Sequence, residues 1–583
     1  MRRLLLPVLV GLTLLAAASP AAAKDIHVDC DAPVAGDGTA AAPFNSIAQP
    51  FDLRPDHHLL FRRGSTCEGT LRVTSGDNGA QPASVGAYGS GDLPKIVGAG
   101  QDAVRLSDVS NLTVSDLDIS NPGPGGPLGE GDQVRNGIRV TAQSESVRNL
   151  TLSGLVIHDV NGDLTKNGDG SAAIQATVTG SGSIHFQNLL VKGNRITSVS
   201  RSAISISGTN DLTRPDADQP WPAASTGVVI EDNRIDLIAG DGIVPRGTDG
   251  AIVQDNIVSR GNLAGRPLLD PEGPMCNAGI WTFRSNNTVI RGNEVFGMEH
   301  NGCDGTGFDV DYRQDGTIIE GNYSHDNEGG FVLLCSDETQ HRADVRFNLS
   351  VDDGTMINHG PCGIAEGIIG DLSGIRMYNN TVVSPSPTVS LQLGLVDEMF
   401  MPGDFRFENN LVFARSETGQ VPCGERCSHN AFFNLPPSGD LALFGDPLLT
   451  GPLLAADGKA AASGFRLKSA SPLRGAGIPV TGGGAKDFFG NPIPKVPSIG
   501  FDQTPLAGPP TGPNKACKRA RTARTKARNQ VAGLARQLRK LRRSGAAPKR
   551  IRPVVRRLGR ARSEVKRQHR KALRTCPGGA TRS

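Results

Sequence analysis

Short runs of alternating apolar and polar residues, each ending in an asparagine, recur along the middle of the chain. The repeated asparagines are Asn194, Asn233, Asn256, Asn293, Asn322, Asn348, Asn380 and Asn410. Neighbouring copies are 23 to 39 residues apart, so a fixed core alternates with loops of variable length. Such a period indicates a solenoid, in which each short unit buries its apolar face only against its neighbours. Most copies have strand-forming residues before the asparagine, which places the asparagine at a turn.

Stacking these turns predicts a ladder of asparagine side chains. Rungs of a parallel sheet lie about 4.8 Å apart, so one side-chain amide can bond the next along the axis. The N-x-[ST] signal occurs at Asn111, Asn149, Asn286, Asn322, Asn348 and Asn379. Two of these residues are repeat positions, and a role in turns and strands explains the signal better than glycosylation.

The repeat resembles that of the right-handed parallel β-helix proteins of the pectate-lyase-like group, whose coils carry such an asparagine ladder. The resemblance covers about residues 25 to 503. Gly36-Asp37-Gly38-Thr39 looks like the group's N-terminal cap, and Phe465-x-Leu467 with Ile499-Gly500-Phe501 matches its closing phrase. The resemblance implies an all-β fold, a right-handed parallel β-helix solenoid with an N-terminal cap, and a carbohydrate-active protein of the secreted type.

The first residues predict export. Met1-Arg2-Arg3, an apolar run and Ala21-Ala22-Ala23 form a secretory signal with a small-residue cleavage site. No later apolar stretch reaches the ~18 residues that span a bilayer. We expect a monomer that is secreted, extracellular or attached to the cell envelope and does not span a membrane. The expected divisions are the signal at 1–23, the cap and first coils at 24–100, the β-helix at 101–503, a Pro/Gly linker at 504–514, a helical hairpin at 515–577 and a disordered tail at 578–583.

Ten cysteines in an exported chain predict disulfides between residues that are close in sequence. Cys276 and Cys303 lie 27 residues apart, as do Cys335 and Cys362, so each pair is expected to join neighbouring rungs. Further expected pairs are Cys30 with Cys67, Cys423 with Cys427, and Cys517 with Cys576. Zinc is the alternative for Cys423 and Cys427, although no second ligand pair stands at metal spacing.

The net charge of +3 hides a strong asymmetry. Residues 514–576 hold 24 Lys or Arg and one acid, Glu564, which gives +23. Removing this charge and the +2 of the signal from the total of +3 leaves about −22 for the rest of the mature chain. The protein is therefore expected to have an acidic body and a basic tail.

The tail predicts two antiparallel helices closed by a disulfide at their open end. Val531, Leu534, Leu538 and Leu541 form one apolar stripe, and a second stripe follows a break at 544–548. The second stripe consists of Ile551, Val555, Leu558, Val565 and Ala572. So many like charges favour an anionic cell-envelope polymer as partner of residues 515–576, and a solvated spacer without a partner is the alternative. Specific nucleic-acid binding is not expected, because the tail lacks aromatic residues for base stacking.

One sheet of the solenoid is expected to carry a substrate groove, because the resemblance places the groove on the strands that follow the glycine turns. These strands begin at Gly242, Gly279, Gly307, Gly330 and Thr355. With the first apolar residue inside, alternation directs the next residue outward. The predicted outward pairs are Val244 and Arg246, Trp281 and Phe283, Asp309 and Asp311, Val332 and Leu334, and Ile357 and His359.

Asp309 and Asp311 are the principal catalytic candidates, with Arg246 and His359 as further ones. Two carboxyl groups on one face of a strand, about 6.6 Å apart at the backbone, suit the acid and the base or nucleophile of a glycosidase. With Asp304 they could instead bind Ca²⁺, which takes several carboxylate oxygens. Acids that only solubilise the rung are the simplest alternative.

A polysaccharide is the expected partner of the groove. The candidate substrate-binding residues are Trp281, Phe283, Arg284, Arg313 and His325. Three functions remain open: a glycoside hydrolase needing no cofactor, a calcium-dependent lyase acting on uronic-acid polymers, and a non-catalytic adhesion or scaffold protein. In the β-helix hydrolases that the motif around Asp309 resembles, a glutamate acid lies on the next rung, but here that rung has no carboxylate before Asp337.

Overall fold

The chain folds into stacked coils of parallel strands followed by two α-helices. The computed structural model describes residues 24–575, apart from 75–81, 127, 166–169, 212, 214–221, 223–224, 266–274, 312–313, 335–341, 360–373, 386–388, 392–404, 417–420, 422–426, 506–514 and 545–546. Within these residues the strands form three long sheets of 12, 14 and 18 strands. A coil contributes to each sheet in turn, so that strands adjacent in a sheet come from neighbouring coils.

The bounds of the strands follow, sheet by sheet. The twelve-stranded sheet contains Phe51–Asp52, Leu71–Thr74, Asp102–Ser107, Asn136–Ala142, Ala172–Val178, Ser202–Ser207, Ile243–Arg246, Ile280–Thr282, Thr306–Val310, Gly330–Leu334, Ile357–His359 and Val389–Leu391. The fourteen-stranded sheet contains Thr66–Glu68, Lys95–Val97, Asp118–Asn121, Val156–Val160, Arg195–Val199, Arg234–Ile238, Ile257–Gly261, Glu294–Met298, Tyr323–His325, Leu349–Val351, Thr381–Ser384, Leu411–Ala414, Ala431–Phe433 and Leu443–Phe444. The eighteen-stranded sheet contains Lys24–Val28, His57–Arg62, Ala83–Tyr88, Leu112–Ser115, Val147–Ser153, Phe186–Lys192, Ser225–Thr226, Val229–Glu231, Thr248–Asp249, Ile252–Gln254, Ser285–Asn286, Val289–Arg291, Gln314–Asp315, Thr317–Glu320, Ala343–Arg346, Ile375–Tyr378, Arg406–Glu408 and Cys427–Ser428.

Apolar side chains from the three sheets fill the centre of the coils. In the twelve-stranded sheet, register pairs Ile204 with Ile243, Ile243 with Ile280, and Ile280 with Phe308. All four side chains are completely buried. Because every coil places an apolar residue at the same register position, a continuous core runs along the axis, and the predicted parallel β-helix is confirmed.

The predicted asparagine ladder is confirmed. From Asn194 to Asn410, the side-chain amide of each repeat asparagine donates to Oδ1 of the next at 2.9–3.0 Å. Asn410 donates in the same way to Asn430 at 3.2 Å, so the ladder is one rung longer than the sequence analysis identified. Asn322 and Asn348 are completely buried within it, in agreement with a structural role for these two N-x-[ST] sites.

A second set of buried polar side chains, which includes a carboxyl group, is also hydrogen-bonded between neighbouring rungs. Asn327 donates its backbone and side-chain N–H groups to Asp353 Oδ1 at 3.0 and 2.9 Å, and Ser350 Oγ donates to Oδ2 at 2.7 Å. Burial disfavours the charged form of Asp353 more than these hydrogen bonds favour it, and the pKa of Asp353 is raised from 3.8 to about 6. Ionisation of Asp353 therefore costs the folded state free energy.

We expect Asp353→Asn to stabilise the protein at neutral pH. Because the folded-state pKa is raised, the folded protein holds this proton more tightly, so the wild-type free energy of unfolding falls as pH rises from about 4 to about 6. The variant cannot ionise and should gain about 2–3 kcal/mol at pH 7 while losing that part of the pH dependence. Denaturant unfolding at several pH values, with exposed Asp457→Asn as control, measures both effects. A variant with the wild-type pH slope would contradict the assignment.

Two of the expected disulfides are present. Cys30 is bonded to Cys67, and Cys276 is bonded to Cys303 with their Cα atoms 4.9 Å apart. The second bond joins neighbouring rungs, as predicted, because Asn277 and Asp304 beside it are also bridged. Cys427 is disulfide-bonded and so is not a zinc ligand. Cys335, Cys362, Cys423 and Cys576 lie outside the described residues, and with them the other predicted pairings.

The segment after the last coil packs back over the fourteen-stranded sheet. It contains a 3-10 helix at Lys459–Phe465. Its apolar residues, among them Phe465, Ile499 and Phe501, form one cluster with Tyr323 and Leu349 on the outer face of that sheet. This sheet is therefore covered on both faces over these rungs, and its outer face is not available there as a groove.

The basic tail forms two helices, α1 at Lys515–Arg543 and α2 at Pro548–Thr575. Leu534, Val554, Leu558 and Ala561 are buried between them. Val555, predicted to lie in the seam, is 44% exposed and Val554 takes its place, because a spacing of three and then four residues from Ile551 to Leu558 falls on position 554. Arg528 of α1 lies 3.5 Å from Asp440 at the end of the coils. No helix among the described residues combines the length and apolar character that a membrane span requires.

Candidate functional site

The outer face of the twelve-stranded sheet brings together most of the predicted site residues. Register pairs Val244 with Ser205, and Trp281 with Asp309, in one outward column. In the parallel column beside it, Arg246 is bridged to Phe283, and Asp311 follows on the next rung two residues after Asp309. Val244, Trp281 and Phe283 form a small apolar cluster separate from the core, so they face outward as predicted.

The two candidate carboxyl groups differ in exposure. Asp309 is 5% exposed, whereas Asp311 is half-buried. Register places Asp309 between Trp281 on one rung and Leu333 on the next, so apolar side chains flank its column on both sides. Arg246 lies in the neighbouring column, where its Nη2 donates to Ser207 Oγ at 2.6 Å. A shielded carboxyl group on the strand Thr306–Val310 is thus followed by a more open one directly after the end of that strand.

The outward prediction is wrong for the next strand. Gly330 pairs with Thr306 and Val332 pairs with Phe308, so the register is one residue off the alignment of the two Gly-Phe phrases. Val332 and Leu334 belong to the core, and Leu333 takes the outward column. Gly330, with a φ of +125° that a residue with a side chain rarely adopts, stands opposite Thr306, and Phe331 stands opposite Gly307. The glycine therefore does not mark the same strand position as on the preceding rungs, and the alternation is shifted by one residue.

The same shift displaces the strand that carries His359. Asn358 pairs with Leu333, so Asn358 continues the column of Asp309, while Ile357 belongs to the core. His359 therefore stands at the register position of the inward residues, which contradicts its predicted outward position; its side chain lies outside the described part of the chain. Arg313 also lies outside the described residues.

His325 is not a groove residue. It lies on the fourteen-stranded sheet, 1% exposed, with its ring stacked between Tyr323 and Phe296. Its Nδ1 is 2.8 Å from Asp326 and its Nε2 is 3.2 Å from Glu294. Burial alone would lower the pKa of His325, but the two carboxylates outweigh burial and raise it. The polar residues around His325 thus form a strand and a turn, and His325 does not lie in the groove as predicted.

The acids do not form the predicted calcium site. In the part of the chain that the structure describes, the three potential metal donors that converge are Cys276, Cys303 and Asp304. The two sulfurs are joined in a disulfide, so they offer no thiolate. Asp304 lies beside them, before the strand of Asp309. The group therefore offers a single carboxylate, whereas Ca²⁺ takes several oxygen ligands. This donor set does not fit calcium.

A small pocket adjoins the column of Asp309 on its N-terminal side, and sequence reasoning missed most of it. Its wall residues come from four strands and from the segments that precede them: Thr165, Gly170, Ser171, Gln175, Arg201, Ser202, Ser205, Asp241, Val244, Arg246 and Trp281. Thr165, Gly170 and Ser171 precede the strand Ala172–Val178. Asp241 directly precedes Gly242, one of the glycines that mark the predicted groove strands. This position is the sequence feature from which Asp241 could have been identified as a site residue.

The pocket is organised around a buried ion pair. Arg201 Nη1 lies 2.7 Å from Asp241 Oδ2, and the two side chains are 6% and 1% exposed. Asp241 Oδ1 accepts hydrogen bonds from the Trp281 indole N–H at 2.9 Å and from the Ala278 backbone N–H at 3.1 Å. Trp281 is only 8% exposed, so only a small part of the indole is open to the pocket.

The remaining two candidates lie next to this pocket. The half-buried Phe283 ring packs against Trp281 with centroids 6.4 Å apart. The Arg284 guanidinium lies over the Phe283 ring at 5.1 Å from its centroid, an arrangement that favours a cation and an aromatic face. Arg246, Trp281, Phe283, Arg284, Asp309 and Asp311 therefore occupy one surface.

Comparison with known families identifies the coils. The model described as right handed beta helix region matches residues 176–382. The fold is a right-handed parallel β-helix. The matched residues include the strands of Asp309, Trp281 and Arg246, so the candidate site lies in the part of the β-helix that the family model covers. None of the curated proteins compared matches this chain.

Solved structures support the same fold. The native crystal structure of a GH136 lacto-N-biosidase from Eubacterium ramulus is 24% identical, with a TM-score of 0.53, over 67% of this chain and 68% of that one. The selenomethionine derivative of the same protein is 23% identical with a TM-score of 0.52 and the same coverage. The mannuronan C-5 epimerase A-module of Azotobacter vinelandii is 14% identical, with a TM-score of 0.39, over 66% of this chain and 91% of that one. The likeness to the lacto-N-biosidase supports the β-helix fold and establishes no activity.

Proposed function

We propose that the chain is an exported glycoside hydrolase that acts on a polysaccharide or oligosaccharide along the outer face of the twelve-stranded sheet. The observation that carries the proposal is that Asp309, on an outward position of its strand, and Asp311, directly after the strand, adjoin a polar pocket lined in part by Trp281. The lacto-N-biosidase with this fold makes a carbohydrate the first substrate class to test. Export follows from the signal-like first residues.

The two carboxyl groups would divide the chemistry. In glycosidases one protonates the oxygen of the leaving group while the other acts as a base on water or as a nucleophile on the sugar. The backbone positions of Asp309 and Asp311, about 6.6 Å apart, allow either separation through side-chain rotation. Arg246 in the adjoining column is suited to orienting the substrate beside them.

A lyase acting on uronic acids is the less favoured alternative. It would need a cation or basic side chains to neutralise the substrate carboxylate, and the acids here do not assemble a calcium site. The body of the mature chain carries about −22, which repels an anionic polymer from the groove. A neutral substrate meets no such repulsion.

The test is a product assay on purified mature protein with neutral and uronic polysaccharides, in calcium and in chelator. New reducing ends without ultraviolet-absorbing products, lost in the Asp309→Asn/Asp311→Asn double variant, support the hydrolase. Calcium-dependent unsaturated products would replace it by the lyase. Binding without any product, unchanged in the double variant, would leave the adhesion or scaffold function.

We also propose that α1 and α2 hold the protein to an anionic cell-envelope polymer. Arg552, Arg556 and Arg560 are exposed on α2 at intervals of four residues, which places their side chains about 6 Å apart along one face. Within the described part of the hairpin, Glu564 is the one acid, and it is paired with Arg567 at 2.8 Å. A linear polymer with repeated phosphates or carboxylates can contact several of these arginines at once.

Replacing Arg552, Arg556 and Arg560 by glutamine should weaken binding of the full chain to the polymer about tenfold at low salt. Each lost charge removes an attraction that salt screens, so the difference should shrink as salt is raised. Titration with polyphosphate and with polygalacturonate separates a phosphate partner from a carboxylate partner. The matched control is glutamine at three exposed arginines of the body, Arg72, Arg195 and Arg234. Equal effects of the two triple variants would contradict the proposal.

A further inference from the structure

The ion pair between Arg201 and Asp241 is unusual because it is buried on the outer face of a sheet rather than in the core. Its members lie 2.7 Å apart with side chains 6% and 1% exposed. Taking two charges out of water is costly, and such a pair contributes little net stability. A second role is therefore needed to explain its presence beside the candidate site.

The geometry around Asp241 supplies that role. One carboxylate oxygen accepts from the Trp281 indole N–H and the Ala278 backbone N–H, and the other accepts from Arg201. The indole is thereby held at one angle. Trp281 stands directly beside Asp309 in the register of the sheet, so Asp241 fixes the indole next to the candidate catalytic strand.

The rest of the pocket is lined mostly by neutral polar side chains, together with Val244 and the cation Arg246. Gln175 and Ser205 occupy the same outward column as Trp281, and Ser171 also lines the pocket. An indole surrounded by hydroxyl and amide groups matches a sugar ring, which has apolar C–H groups and many hydroxyl groups. Arg201 and Asp241 neutralise each other, so these two groups do not select an anion.

We propose that this pocket binds one neutral sugar ring of the substrate and that Asp241 is the positioning residue for Trp281. The inference rests on the proposed glycoside hydrolase function and adds the substrate class and the subsite. A uronic acid is disfavoured, because the acidic body of the chain repels its carboxylate.

Intrinsic fluorescence provides a direct test, because the chain has two tryptophans, Trp221 and Trp281. Trp221→Phe leaves Trp281 as the single reporter. This protein, carrying the Asp309→Asn/Asp311→Asn changes to prevent turnover, is titrated with neutral gluco-, galacto- and N-acetylhexosamine oligosaccharides and with oligogalacturonate. We expect a saturable signal with at least one neutral oligosaccharide and none with oligogalacturonate.

Asp241→Asn should weaken that binding at least tenfold, whereas Asp52→Asn, an exposed change on the first strand of the same sheet, should leave it unchanged. If Asp241→Asn fails to fold in a thermal melt, Gln175→Ala with Ser205→Ala tests the same pocket without touching the ion pair. Response to oligogalacturonate alone, no response to any neutral sugar, or unchanged neutral binding in the folded pocket variants would overturn the proposal.

Failure of this inference is distinguishable from failure of the proposed function. Hydrolysis that requires Asp309 and Asp311 but is unchanged in Asp241→Asn would contradict the proposed sugar pocket and support the proposed hydrolase. Neutral sugar binding that depends on Asp241, without hydrolysis by the unmodified protein, would support the pocket and contradict the hydrolase.

Discussion

Replacing either Asp309 or Asp311 by asparagine should lower turnover about 10²–10⁴-fold, the range that general acid or base catalysis contributes. Asparagine has nearly the same shape as aspartate, but it cannot protonate a leaving group, activate water or form the glycosyl bond of a retaining enzyme. The buried Asp309 and the half-buried Asp311 are two residues apart at the end of one strand, so both single variants should be impaired. Initial rates of reducing-end release on the substrate found in the product assay measure the effect.

The control for this prediction is Asp52→Asn, which removes an exposed carboxylate from the same sheet far from the candidate strand. Thermal unfolding of all three variants should match that of the unmodified protein, because a neutral amide replaces a charge without leaving a cavity. Full turnover in either Asp309→Asn or Asp311→Asn would exclude that residue as the acid, base or nucleophile.

Asn322→Ala should destabilise the β-helix by about 4 kcal/mol, because several buried polar groups would lose partners at 1–3 kcal/mol each. Asn322 Oδ1 accepts from the backbone and side-chain N–H groups of Asn293 at 2.8 and 3.0 Å. Its own amide donates to the Ile290 carbonyl at 2.9 Å and to Asn348 Oδ1 at 3.0 Å. Alanine supplies none of these groups, and no water reaches this completely buried position.

The exposed asparagine column offers the matched control for the ladder. Asn188 donates to Asn149 Oδ1 at 2.9 Å in a column that solvent reaches, and its φ is +59°. Asn188→Gly keeps that backbone conformation available and lets water replace the lost bond, so it should cost less than 1 kcal/mol. Denaturant unfolding of both variants measures the difference. Similar losses in the two would show that burial of the ladder does not determine its contribution.

The fold could be predicted from the sequence because one residue type recurs at one structural position. Each repeat asparagine marks a turn, and the strand-forming residues before it mark a strand and the side of that strand that faces the core. Asn430 was missed because only 20 residues separate it from Asn410, a shorter interval than any used to define the repeat. The predicted outward residues were right for Arg246, Trp281 and Asp309, since on each of these rungs a core residue directly follows the glycine.

The site was less predictable, for two physical reasons. Gly330 stands at the register position of Thr306 rather than that of Gly307, and strand alternation then carries the error to Val332, Leu334 and His359. The pocket residues Arg201 and Asp241 come from turns, where no alternation indicates a direction. Arg201 and Asp241 are 40 residues apart in sequence. Whether they meet depends on the lengths of the loops between the strands, and those lengths vary from one repeat to the next.

The segment that covers the fourteen-stranded sheet should make the unfolding of the coils cooperative. Stacked repeats ordinarily fray from their ends, since each repeat is held only by its nearest neighbours. Here Lys459 is paired with Asp255 at 3.0 Å, and the Ile478 carbonyl accepts a hydrogen bond from Asn409 at 2.8 Å, so the segment joins the rung of Asn256 to that of Asn410. The last coils cannot open without releasing this segment. Because the segment is synthesised after the coils, a nascent chain would gain this protection only after the segment itself has been made.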